Sequence, residues 1–252
     1  MCDDRPALEW KLRAAAIPAS IAIAVACHAS PTGHFLQRTF LSMMVHELGH
    51  AVTAWWCGFA AIPTLWKTLI PDGRSVLVSL AVLALVGVVF VRGWVAQRGG
   101  LAAAALALAA LQFVATLGVT ADRAHEAIVF GGDGGAMVLG TLLMLTFFVG
   151  PDSSIRTQHL RWGLLVIGTA ALIDTFATWW GARVDLDRIP FGEIEGVGLS
   201  DPSQLDEVYG WTARHMVDRY VTLGVVCFAV LGAAWLHATW SARCAAVSSG
   251  GR

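Results

Sequence analysis

The stretch that decides the fold is residues 35–57, FLQRTFLSMMVHELGHAVTAWWC. It is a largely apolar run, and a helix of roughly 20 apolar residues is long enough to cross a bilayer. Near its middle stand His46 and His50, with Glu47 directly after the first histidine. Because residues four apart share one face of a helix, both imidazoles can reach a single point. The stretch therefore predicts a membrane helix that carries a metal-binding histidine pair.

The same apolar character extends over the whole chain. Of its 252 residues, 56% are hydrophobic and only 14% are charged, whereas an ordinary soluble domain is roughly 25% charged. Runs of the required length occur at about 13–30, 35–57, 75–93, 101–119, 134–150, 160–181 and 220–240. The fold class we predict is all-α: a polytopic membrane helix bundle of about seven transmembrane helices, which forms a single membrane-embedded domain over residues 1–252.

The charge pattern limits the partners. The net charge is -1 and there is no basic tract, so we do not expect this chain to bind nucleic acid. We expect it to interact with the lipid bilayer. The five cysteines show no CxxC spacing, which favours small buried side chains over a disulfide framework or a thiolate zinc site. We expect an integral, multi-pass protein of a bacterial cytoplasmic membrane.

One long polar segment, residues 182–219, is acidic and connects the last two predicted spans. Within it, Asp201 followed by Pro202 predicts a helix N-cap and a first helical position. Apolar residues then recur every three or four positions, which predicts a short amphipathic helix. The segment is either a solvated connector or a lid that contacts substrate, and in neither case do we expect metal ligands from it.

The pair of histidines with the intervening glutamate is the HExxH arrangement of zinc hydrolases. In that arrangement His46 and His50 bind the metal, and Glu47 holds a water molecule and acts as general base. Placing an acid near mid-membrane costs on the order of 3 kcal/mol, so a purely structural role for these polar groups is unfavourable. The alternative interpretation is a buried polar cluster that joins helices.

A catalytic zinc site takes three protein ligands and leaves a fourth position open. Asp133 is our first candidate for the third ligand, because the glycines around it in GGDGG, residues 131–135, would let its backbone approach the histidine helix. Its alternative role is an N-cap at the start of the fifth predicted span. Asp174, deep in the sixth predicted span, is the rival. It could be a ligand, an acceptor for a ligand imidazole N–H, or the partner of an arginine.

The other candidate residues are less well supported by their spacing. His125 and Glu126 precede the glycine cluster by a few residues, which would place them at the mouth of the same site. The remaining histidines have no partner spacing and are expected at the membrane interface; they are His28, His34, His159, His215 and His237.

With His46-Glu47-Leu48-Gly49-His50 in one span and Asp133-Gly134-Gly135 opening a later one, residues 35–150 resemble the site-2 protease family of intramembrane zinc metallopeptidases. The resemblance implies Zn²⁺ held by His46, His50 and Asp133, with Glu47 as the catalytic general base. It also implies membrane-spanning protein segments as substrates. The family's aspartate motif usually has an asparagine and a proline upstream, but this chain contains no asparagine. The resemblance is therefore to a divergent, minimal member.

Three other classes fit the sequence less well. One is a non-catalytic pseudoprotease that binds client helices, and another is a metal-handling membrane protein. The third is an enzyme similar to prenyl-protein proteases, with a downstream glutamate as third ligand. The presence of Glu47, and the concentration of polar residues around one motif, favour an intramembrane zinc metalloprotease.

Overall fold

The computed structural model describes residues 6–194 and 198–250, which are almost wholly helical, as predicted. The α-helices of this part are α1 (Pro6–His28), α2 (Pro31–Gln37), α3 (Met43–Trp56), α4 (Val76–Val95), α5 (Gly99–Phe113), α6 (Ala121–Leu145), α7 (Ser154–Thr157), α8 (Leu160–Gly181), α9 (Asp201–Glu207) and α10 (Ala213–Gly250). Two short antiparallel hairpins join β1 (Ile62–Pro63) to β2 (Thr68–Leu69), and β3 (Glu193–Ile194) to β4 (Gly198–Leu199). The all-α fold class is confirmed.

Six of the described helices are long and apolar enough to cross a membrane, which makes the chain a multi-pass membrane protein. They are Leu8–His28, Val76–Val95, Gly99–Gly118, Ala121–Phe148, Leu160–Gly181 and Ala213–Val247. The remaining predicted span, residues 35–57, is helical but is not among the six. There α2 continues through a π-helical turn, Arg38–Ser42, into α3. Its polar side chains, several of which are buried, lower the hydropathy of this segment.

Helices α6 and α8 form the centre of the bundle, and of the six spans they are the most enclosed by protein. Helix α3 packs on α6, and α10 closes the other side. Trp179 of α8 and Tyr220 of α10 are fully buried and stack with ring centroids 4.1 Å apart. By contrast, α4 and α5 pack mainly on each other and expose many large apolar side chains, as expected of helices that face lipid.

The start of the fifth predicted span, at residue 134, is wrong. Helix α6 begins at Ala121, where the Thr120 side chain caps it by accepting the Arg123 N–H, and it runs without interruption to Leu145. Glycine is a poor helix former, but here the glycines lie against α3, so tertiary packing outweighs their low propensity. Asp133 lies in the middle of this helix, so its alternative role as an N-cap is also wrong.

Glycines bring α3 and α6 into backbone contact. A Cβ added to Gly49 would lie 2.4 Å from the carbonyl oxygen of Gly131, and one added to Gly135 would lie 2.5 Å from Cα of Gly49. Only glycine tolerates such an approach, because any side chain would force the two helices apart. The predicted close approach of the glycine cluster to the histidine helix is therefore confirmed.

In the acidic connector, the helix begins as predicted but its cap is a different residue. Ser200 caps α9 by accepting the Ser203 N–H, so the prediction of Asp201 as the N-cap is wrong. The helix ends at Glu207. Gly210, with a φ of +71°, lies in the turn between α9 and α10. Since Ser200 satisfies the helix end, the carboxylate of Asp201 can face another part of the molecule.

Candidate metal centre

His46 and His50 project from one face of α3 towards a common point. Their Nε2 atoms are 3.2 Å apart, and their ring planes are nearly perpendicular, at 88°. Nδ1 of His50 lies 2.7 Å from the carbonyl oxygen of Ile128 on α6. In the neutral imidazole Nδ1 then carries the proton, which leaves the lone pair of Nε2 directed at the shared point.

Asp133 contacts the other ring nitrogen of His46. Its Oδ1 lies 3.0 Å from Nδ1 of His46, and its Oδ2 accepts the indole N–H of Trp179 at 2.7 Å. A carboxylate in this position fixes the tautomer and orientation of a ligand imidazole and raises its basicity. The structure thus brings Asp133 to the histidine pair, but on the side of His46 opposite Nε2.

The carboxylate that faces both Nε2 atoms is that of Asp201. Its Oδ2 lies 3.2 Å from Nε2 of His46 and 3.0 Å from Nε2 of His50. Sequence reasoning missed this residue, since it assigned Asp201 to a helix cap and expected no ligands from the connector. The one local indication is Ser200 directly before it, a second possible cap that would leave the aspartate free.

These three residues fit a divalent metal ion. Two imidazole nitrogens and one carboxylate oxygen, all within 4.8 Å of one another, are a common transition-metal donor set with room for a fourth ligand. Oδ2 of Asp201 is buried and has no hydrogen-bond partner, a costly state that a bound cation would relieve. The absence of a side chain at Gly132 leaves room for these groups, because a Cβ there would lie 2.5 Å from both Oδ2 of Asp201 and Nε2 of His50.

The ionisation of Asp201 suits the same role. Burial by itself raises the pKa of this carboxyl, but in the metal-free site His50 and His46, when protonated, more than offset that effect and hold the pKa well below its usual range. Asp201 is therefore present as the carboxylate, the form in which it binds a metal ion.

Glu47 lies beside the histidine pair and is held by the first hairpin. Its buried carboxylate accepts the hydroxyl proton of Thr68 on β2 at 2.7 Å, and the same hydroxyl is 2.8 Å from the Glu47 carbonyl oxygen. This contact holds the Glu47 carboxylate by one oxygen and leaves the rest of its acceptor capacity free. Glu47 and the two histidines line the same cavity, and the role of Glu47 as general base stays a prediction.

A cavity of about 510 Å³ joins these side chains. Its lining includes His46, Glu47, His50, Asp133 and Asp201. The two hairpins and the connector form its rim, with Trp66, Lys67, Thr68, Pro190, Phe191 and Leu199 among the lining residues. The connector is therefore part of the site and not only a link between helices.

The two residues expected at the mouth of the site are separated. His125 lines the cavity of the histidine pair, as predicted. Glu126 instead accepts hydrogen bonds from Trp211 and Arg123 and lines a second cavity, of about 740 Å³. Adjacent residues of a helix point about 100° apart, which explains why one faces the first cavity and the other faces away.

Asp174 belongs to a different cluster. Arg38 donates to its Oδ2 at 3.3 Å, while its Oδ1 lies 2.9 Å from Nε2 of His34 and 3.3 Å from Nδ1 of His28. Of the three roles considered for Asp174, the partnership with an arginine is the one observed. Although His28 and His34 have no partner spacing in the sequence, helix packing brings both to one carboxylate. Their expected position at the membrane interface stays a prediction.

Comparisons with other proteins identify no relative of this chain. No protein-family model matches it, and neither the curated proteins nor the solved structures give a significant match. The resemblance to the site-2 proteases therefore rests on the residues of the chain, and its function has to be inferred from the site.

Proposed function

We propose that this chain is an intramembrane zinc metalloprotease of the site-2 protease type, in a bacterial cytoplasmic membrane. It would hydrolyse peptide bonds in membrane-spanning segments of other proteins. The observation that carries this proposal is the convergence of His46, His50 and Asp201 beside Glu47, in a cavity within a helix bundle. Groups this costly to bury at membrane depth are typical of functional sites.

The ligands we infer are Nε2 of His46, Nε2 of His50 and Oδ2 of Asp201. The assignment of Asp133 as third ligand, implied by the family resemblance, stays a prediction, but two contacts favour an orienting role for it. Its Oδ1 faces Nδ1 of His46, and its Oδ2 is taken by Trp179. Carboxylate contacts to the far nitrogen of a ligand histidine are a common feature of zinc sites.

Bound Zn²⁺ would supply a Lewis acid that polarises the peptide carbonyl and lowers the pKa of a water molecule. Glu47, positioned by Thr68 and facing the same cavity, would take the proton of that water and deliver it to the departing amine. Asp133 and the Ile128 carbonyl would keep the two imidazoles in orientation throughout.

The test is cleavage of a panel of single-span reporter proteins by the purified chain in lipid nanodiscs. Wild type should cleave at least one reporter. Glu47→Gln should reduce the turnover rate about 100-fold or more, the range for removal of a general base. The zinc content of this variant should equal that of wild type. Glu207→Gln, a change of an exposed acid in α9, is the matched control and should behave as wild type. Zinc binding without cleavage of any reporter would overturn the proposal in favour of a metal-handling protein.

A further inference from the structure

A second cluster of metal-ligating side chains lies where α1, α2 and α8 meet. His28 is the last residue of α1, His34 lies in α2, and Asp174 lies in α8. One donor atom from each lies within 4.8 Å of the other two, and the imidazole centroids are 4.4 Å apart. The cluster has the same composition as the first site, two histidines and one aspartate.

Two polar atoms of this cluster lack hydrogen-bond partners. Asp174 is fully buried, and neither its Oδ1 nor Nδ1 of His28 makes a hydrogen bond. The short approaches of Oδ1 to the two imidazoles are therefore contacts without hydrogen-bond geometry. Oδ2 of Asp201 in the first site shows the same combination of burial and missing partners. Unpaired acceptors are costly to bury, and a cation bound between Oδ1 of Asp174 and Nδ1 of His28 would satisfy both.

Arg38 does not supply that cation. Its guanidinium donates to Oδ2 of Asp174, so Oδ1 stays directed at the histidines. The Asp174 carboxylate can therefore offer Oδ1 to a metal ion while Oδ2 accepts the hydrogen bond from Arg38. Arg38 also lines the cavity of the first site, so it lies between the two clusters.

We propose that His28, His34 and Asp174 form a second metal site, which binds a divalent transition-metal ion independently of the first. Two imidazoles favour Zn²⁺, Co²⁺, Ni²⁺ or Cu²⁺ over Mg²⁺ or Ca²⁺, which prefer oxygen ligands. The His34 side chain is 44% exposed, so an ion can enter from the surface and keep water in the remaining positions. Bound there, it would tie α1 and α2 to the central helix α8.

The experiment is a Co²⁺ titration of metal-stripped protein in detergent, with visible absorption to follow binding and elemental analysis to count ions. Wild type should bind two equivalents. His34→Gln and His28→Gln should each bind one, and the double variant His46→Gln/His50→Gln should also bind one. His237→Gln, a change of an exposed histidine on α10, is the control and should bind two.

No ion bound by the double variant, or as many ions bound by His34→Gln as by wild type, would overturn the second site. His34→Gln changes a partly exposed side chain, so it keeps the test decisive if His28→Gln does not fold. The double variant separates this inference from the proposed protease: one equivalent retained there establishes the second site even if no reporter is ever cleaved.

Discussion

Trp179 donates its indole N–H to Oδ2 of Asp133 at 2.7 Å, from a fully buried position in α8. The other oxygen of the same carboxylate contacts His46. The central helix is therefore connected, through a carboxylate on α6, to the histidine on α3 that we propose as a metal ligand. A side chain that does not itself face the metal position is expected to affect metal affinity.

Replacing Trp179 by Phe should lower zinc affinity about 10- to 100-fold, the range measured for lost outer partners of zinc ligands. The variant keeps most of the ring volume but removes the donor that holds Asp133. Affinity is measured by competition with a chromophoric chelator. Trp180→Phe, a change of the neighbouring and partly exposed tryptophan, should leave the zinc affinity unchanged. Equal affinities in the two variants would contradict the role of Trp179 in orienting His46 through Asp133.

Asp201→Asn and Asp133→Asn distinguish the third ligand from the orienting residue. We expect Asp201→Asn to lose more than the roughly 100-fold in zinc affinity that an outer partner can explain, because it removes a ligand charge. Asp133→Asn should keep the ion and bind it more weakly. The exposed change Asp206→Asn on the same helix as Asp201 is the control. The reverse order of the two affinities would make Asp133 the third ligand, as the family resemblance implies.

Thr68→Val should reduce turnover while leaving zinc content unchanged. The valine removes the hydroxyl that holds the Glu47 carboxylate, and a hydrogen bond to a charged group contributes about 1.5–3 kcal/mol. If about half of that is lost in the transition state, turnover falls roughly 4- to 13-fold. Thr68→Ser restores the hydroxyl and should restore turnover. A serine variant as slow as the valine variant would show that the methyl group, and not the hydrogen bond, matters.

Gly49→Ala should destabilise the bundle by about 1–3 kcal/mol, the usual cost of overpacking, and weaken zinc binding with it. Its Cβ would lie 2.4 Å from the carbonyl oxygen of Gly131, a backbone atom that cannot move without shifting α6. Gly87→Ala on α4 is the matched control, because nothing lies within 4 Å of its added Cβ. That control should be neutral or stabilising by about 0.5–1 kcal/mol. Both are measured as free energies of unfolding in mixed detergent.

The helices and the histidine pair could be predicted because both depend on local spacing. Apolar runs predict helices wherever they occur, and the positions of His46, Glu47 and His50 on one face follow from the pitch of a single helix. The start of α6 was missed for the opposite reason. A glycine cluster around an acid is typical of a break, but here the segment stays helical and packs closely on α3, where Gly131 and Gly135 meet Gly49.

The residues of the two metal-ligating clusters that were missed depend on long-range packing. Asp201 reaches the first site because the connector folds back over α6, and no local pattern predicts that path. His28 and His34 have no helical spacing to one another, and they meet because the chain turns between α1 and α2 next to Asp174. Sequence patterns therefore identified two of the three residues in the first cluster, His46 and His50, and one of the three in the second, Asp174.

The position of Asp201 in the chain has a consequence for biosynthesis. Helix α3 is made early and carries both histidines and the glutamate, whereas Asp201 follows five of the six candidate spans. On the proposed function, a nascent chain that has inserted α3 would hold only two of the three inferred ligands and would bind zinc weakly. The proposed activity would then begin only when the connector emerges and folds back, so neighbouring proteins at the insertion site would not be exposed to it during synthesis.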